Sequence, residues 1–118
     1  MPIRWIDYKG KKVLFVDLKG AKSEELLTTI EEQKKTIDES SEPVLLLNDF
    51  RDTFGTDEYM KRAKKYGKEQ KDKIKKTALL GVQGIKKIFV EAYIKFTGNE
   101  NTKIFDDIEE AKEYLIKL

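Results

Sequence analysis

The residues best equipped for chemistry sit in one stretch, NDFRDTFG at positions 48–55. Asp49, Arg51 and Asp52 bring two carboxylates and a guanidinium close together. If one acid were buried and its pKa raised, the set could do general acid–base work. The same residues also make an ordinary solvated loop with a surface ion pair, which contributes little. The loop is the weightier reading, because no activating histidine or metal-ligand set accompanies them. Thr56 closes the stretch in a position to cap a helix, and with Asp49, Arg51 and Asp52 it forms a candidate ligand-contacting loop.

Composition narrows the chemistry further. The chain has 118 residues, no cysteine and no histidine. Disulfides and thiolate metal sites are therefore excluded, as are Ser-His and Cys-His nucleophile pairs. No cofactor is expected, and a non-catalytic protein is favoured over an enzyme. A reducing, cytoplasmic setting fits the absence of cysteine. No apolar run approaches the ~20 residues of a membrane span, and no secretory leader is visible. The net charge of +2 does not favour nucleic acid as a partner.

Three further features carry alternative readings. Gly81 and Gly84 lie at a strand-to-helix turn that could cradle an anion, but the sequence lacks the G-K-[ST] ending of a P-loop. Tight-turn geometry accounts for both glycines equally well. Lys61, Lys64, Lys65 and Lys68 gather on one face of a helix. That face suits peripheral contact with an anionic membrane, or simply keeps the helix solvated. Val90 and Ile94 lie opposite the main apolar stripe of another helix. They are either covered by a neighbouring helix or exposed as a contact for a protein partner or a second copy.

Periodicity supplies the elements that must position these groups. Alternation over 3–8 and a β-rich run over 12–18, joined at Lys9-Gly10-Lys11, predict an antiparallel hairpin. Ser23 is the expected cap of a helix to about Glu39, with Leu26, Leu27, Ile30 and Ile37 buried. The apolar run 44–47 predicts a central strand and leaves 48–55 as its polar exit loop. A helix over about 57–72 follows, with Tyr59, Met60, Ala63, Tyr66 and Ile74 on one side and its lysines on the other. A strand over 78–82 then feeds a helix whose stripe is Ile85, Ile88, Phe89, Ala92, Tyr93 and Phe96, stopped at Gly98-Asn99. A short strand 102–105 and a helix 107–118, capped by Asp107 with Glu110, end the chain. The order ββαβαβαβα predicts a single α/β domain, a mixed five-stranded sheet with four helices.

One pattern resembles a known family. Lys76, Ala78, Gly81 and Gly84 lead into a helix ending Phe96-Thr97-Gly98. Phe105-Asp106, Glu109-Glu110-Ala111 and Leu115 then close the pattern. This resembles the small bacterial STAS-like proteins, related to the anti-sigma-factor antagonists and distantly to CRAL-TRIO lipid carriers. Tyr114 stands where that family often has Trp. The resemblance covers most of the chain by element order and is residue-specific in the last third. It implies a regulatory or protein-interaction module, binding a small ligand or switched by phosphorylation. The alternative is a carrier or sensor of an apolar, lipid-like ligand at a membrane surface. The antagonists carry a phosphorylated serine in D-S-x-G, and Asp52-Thr53-Phe54-Gly55 is similar, which makes Thr53 a candidate phosphoacceptor. A turn explains the same residue types.

Overall fold

Two consecutive residues of positive φ, Lys9 at 50° and Gly10 at 84°, set the first bend of the computed structural model. It describes residues 2–53, 56–82, 85–97 and 101–117, and within 85–97 the side chains of 87, 88, 90–92, 94 and 95. A two-residue loop of this kind matches the twist of the strands it joins. It connects β1 (Ile3–Tyr8) to β2 (Lys11–Asp17), antiparallel from Ile3↔Val16 to Tyr8↔Lys11. Each later strand is reached through a helix: α1 (Ser23–Glu39), β3 (Val44–Asp49), α2 (Asp57–Glu69), β4 (Ile74–Leu80), α3 (Ile85–Thr97), β5 (Thr102–Phe105). A last helix, α4 (Ile108–Ile116), follows β5. The sheet order is β1-β2-β3-β4-β5, with β2 to β5 parallel. The α/β class, the mixed five-stranded sheet and the four helices are as the sequence predicts.

That strand order dictates where the helices go. Right-handed crossovers advancing in one direction leave all their helices on the same face of the sheet. One face accordingly carries Leu14, Val16, Leu46 and Val44 against Leu26, Ile30 and Ile37 of α1 and Tyr59 of α2. Val90 of α3 and Thr77 and Leu79 of β4 line one cavity on this side as well. The opposite face, with Val13, Phe15, Leu45, Leu47, Ala78 and Leu80, is left to α4, which supplies Ala111 and Leu115. Because the strand order never reverses, the parallel strands contain no switch-point crevice of the doubly wound kind.

Several boundaries differ from expectation, each for a local reason. Strand β3 runs two residues past Leu47, because Asn48 and Asp49 are buried with partners of their own. Strand β4 starts at Ile74 and ends at Leu80 rather than spanning 78–82. It does lie inside the sheet, between β3 and β5. Its lysine-rich start hides it from a hydrophobicity pattern. Lys76 is half-buried and donates to the carbonyls of Tyr114 (3.0 Å) and Lys117, and Lys11 donates to that of Ile116 (3.3 Å). Cations at the carbonyl end of α4 stabilise it through the helix dipole. Helix α2 ends at Glu69 and a 3₁₀ turn, Lys71–Lys73, follows, so Ile74 belongs to a strand.

The caps also change. Lys22, not Ser23, stands at the N-cap of α1, and its N–H donates to Glu25 Oε1 at 3.0 Å. Asp107 stands at the N-cap of α4 but its side chain makes no capping hydrogen bond, so the box with Glu110 is not formed. The expected stop at Gly98-Asn99 lies outside the described residues.

Candidate functional site

Strand β3 delivers two polar side chains to opposite faces of the sheet. Asp49 is only 1% exposed, and its carboxylate is held by its neighbour two residues on. Arg51 Nη2 donates to Asp49 Oδ2 at 2.7 Å, Nε to Oδ1 at 3.0 Å, and the Arg51 backbone N–H to Oδ1 at 3.1 Å. The carboxylate in turn holds the guanidinium in its charged form. Around this pair, Leu18 N–H donates to Asp49 O (3.0 Å), Gly20 N–H to Arg51 O (3.1 Å) and Phe50 N–H to Leu80 O (2.7 Å). The loop thereby ties together the ends of β2, β3 and β4.

These contacts redefine most of the candidates. Asp49 and Arg51 are brought together, but as a structural clamp. Asp52 is exposed with φ of 56°, a conformation Asp tolerates, and Thr56 caps α2 by accepting Tyr59 N–H at 3.1 Å. A phosphoacceptor role for Thr53 requires an exposed hydroxyl. Instead Thr53 is 5% exposed and donates to Leu18 O, with Arg51 O at 3.2 Å. A kinase could not reach that oxygen without opening the loop, so the phosphoacceptor reading loses its premise. Phe54 and Gly55 of the same motif lie outside the described residues.

Gly81 is not an open anion cradle. Its N–H donates to Phe105 O at 3.0 Å, and its φ of 80° leaves an added Cβ only 2.6 Å from Arg51 Cγ. It is glycine so that Arg51 can lie against the chain. Gly84, its companion in that reading, lies outside the described residues. The basic candidates Lys61, Lys64, Lys65 and Lys68 are all exposed on the outer side of α2.

Helix α3 is turned relative to its expected stripe. Ile88 is 67% exposed and Ala92 is exposed, whereas Val90 is 8% exposed and Ile94 half-buried. Val90 and Ile94 therefore belong to the inward side and do not form a free apolar patch for a second copy. Other members of the expected stripe have side chains outside the described set.

Val90 looks into the feature that sequence reading missed. A cavity of about 400 Å3 lies between α1, α2, α3 and the sheet, walled by Ile30, Leu46, Phe50, Tyr59, Met60, Ala63, Tyr66, Leu79 and Val90. The apolar side read from the pattern of α2 is one wall of it. Tyr59 packs edge-on against Phe50, centroids 6.0 Å apart. Two buried amides share the lining: Asn48 Nδ2 donates to Gln33 Oε1 at 2.8 Å. Gln70, 2% exposed, also lines the cavity and donates to Lys34 O (2.9 Å) and Asp38 Oδ1 (3.0 Å), which ties α2 to α1. The exposed lining residues Lys71, Asp72 and Asn101 sit where β4 and β5 begin, so the mouth opens at the end of the sheet opposite Arg51–Thr53. One signal for Gln33 was available. It falls with Leu26, Ile30 and Ile37 on one heptad-spaced seam, a polar side chain on a buried stripe.

Among the described residues, no cluster of three acidic groups could hold a metal ion, and no helix is long and apolar enough to cross a membrane. Fold and cavity together define an α/β domain with a ligand-sized interior space on the crossover-helix face. The chain belongs to the family described as a domain of unknown function (DUF7793), whose model matches residues 5–118. No curated protein matches it, and no solved structure does.

Proposed function

We propose that this protein is a non-catalytic, small-ligand-binding regulatory module of STAS-like type, and that its ligand is largely apolar. The cavity carries this reading. Its volume of about 400 Å3 falls within the ~300–1,000 Å3 of small-molecule sites, and its walls are mainly aliphatic and aromatic. It is also too large to be a packing defect. At ~24 cal/mol per Å3, a dry void of about 400 Å3 would cost about 10 kcal/mol, comparable to the whole stability of a domain. The space must therefore hold water or a ligand, and apolar walls offer water few partners.

Catalysis has less support. The acidic loop is consumed by its own clamp, and the cavity wall presents amides and a phenol in place of an activated acid–base pair. Regulation would act through occupancy, because a ligand that binds only the folded state stabilises it in proportion to the logarithm of its concentration.

The test is native mass spectrometry of wild type and Ala63→Phe isolated from the source organism. A non-covalent small-molecule adduct is expected on the wild type, lost on denaturation and absent from Ala63→Phe, whose ring would fill the cavity. Equal adducts on both proteins, or a bare wild type, would count against the reading.

A further inference from the structure

Among the buried residues described in the cavity wall, Tyr59 has a side-chain polar group that the fold itself leaves unused. Tyr59 is 3% exposed and packed in the core, yet its side chain makes no hydrogen bond to any described residue, its backbone N–H alone being engaged at Thr56. No buried side-chain nitrogen or oxygen among the described residues lacks a partner, so this hydroxyl must reach open space. Tyr59 lines the cavity. Burial pushes the hydroxyl well above the ordinary phenol range, so it stays a neutral donor. Nearby in the same lining, the Asn48–Gln33 bond uses one amide N–H and one amide oxygen and leaves the other halves of both groups available.

Among the described residues, the inner wall carries no charge. The charged lining residues are Lys71 and Asp72, exposed at the mouth and opposite in sign, so the mouth favours neither anion nor cation. A carboxylate or ammonium drawn inside would be desolvated without an ionic partner, whereas a neutral carbonyl, ester or ether would find a ready donor.

The geometry points to a neutral ligand: an apolar body carrying one hydrogen-bond acceptor, which the Tyr59 hydroxyl receives inside the cavity. This deepens the small-ligand reading above and rests on it. Tyr59 is then the residue that selects among apolar molecules of similar size. A missing acceptor leaves the phenol dry and unpaired, and a charged group has no counter-ion.

Three matched probes separate the inference from the reading beneath it: hexylbenzene, the ketone 1-phenylhexan-1-one and the anion 6-phenylhexanoate. Their dissociation constants would be measured by NMR titration against wild type and Tyr59→Phe, with thermal melts showing that the variant folds. Wild type should bind the ketone about fivefold tighter than the hydrocarbon, the worth of one neutral hydrogen bond, and the carboxylate least. Tyr59→Phe should erase the ketone's advantage and leave hexylbenzene unchanged. A ketone advantage that survives in Tyr59→Phe, or tightest binding by the carboxylate, overturns the inference while the cavity reading stands. Failure of all three probes to bind overturns both.

Discussion

Asp49, Arg51 and Gly81 behave as one unit, and the unit explains why this chain resembles a site without being one. The carboxylate is buried, the guanidinium spans it, and glycine is needed for the close approach. Gly81→Ala should lower stability by about 2 kcal/mol, from the positive φ and from overlap with Arg51, as measured by urea denaturation. Little change would mean that Arg51 moves aside freely. Thr53→Val, which loses the donor to Leu18 O, should cost about 1 kcal/mol, and Thr53→Ser much less. The pH dependence follows from two surface carboxylates. Lys34 first, then Gln70, holds Asp38 below the ordinary carboxylate range, and Lys9 first, then Tyr8, does the same for Glu113. Each contributes stability that is fully present above an unfolded pKa of about 4 and is lost as pH falls through the lower folded value. Denaturation midpoints measured from pH 6 down to pH 2 should therefore decline less steeply in Asp38→Asn/Glu113→Gln than in wild type. At this scale the sequence announced residue types but not partners. Asp49 and Thr53 read as exposed loop because their burial depends on Arg51 and on a carbonyl 35 positions away.

Among the elements, the strands and helices follow their periodicities closely, and helix α3 is the instructive exception. It is apolar on more than one side, so spacing alone allowed two orientations. The fuller stripe pointed to Ile88 and Ala92 as the buried side, yet Val90 faces the cavity and Ile88 the solvent. A stripe count presumes that the helix lies on a filled surface. Here the helix borders open space shared with α2, and that changes which side chains need cover. Ile88→Glu should alter stability by no more than about 0.5 kcal/mol, whereas Val90→Glu should cost about 3 kcal/mol by burying an unpaired charge. Chemical denaturation of the two variants side by side checks this, and the reverse order would restore the fuller stripe as the packed one. Strand β4 makes a related point. Its lysines concealed its first half, because Lys76 serves the carbonyl end of α4 from the far face.

At the level of the whole molecule, topology predicted well and internal space did not. An unreversed strand order places α1, α2 and α3 on one face, and that follows from element sequence and handedness alone. The cavity left between those helices and the sheet follows from no pattern of residue types. The nearest clue was the apolar side of α2 bearing Tyr59, Met60, Ala63 and Tyr66, which forms one wall of the cavity. The central claim is that this space takes up a small apolar molecule, and intermolecular NOEs test it most directly. With hexylbenzene added to methyl-labelled protein, NOEs should connect the probe to the methyl groups of Ile30, Leu46, Met60, Leu79 and Val90. They should be absent from Ala111 and Leu115 on the other face of the sheet. NOEs to the α4 face, or none to the cavity methyls at saturating probe, would contradict the account.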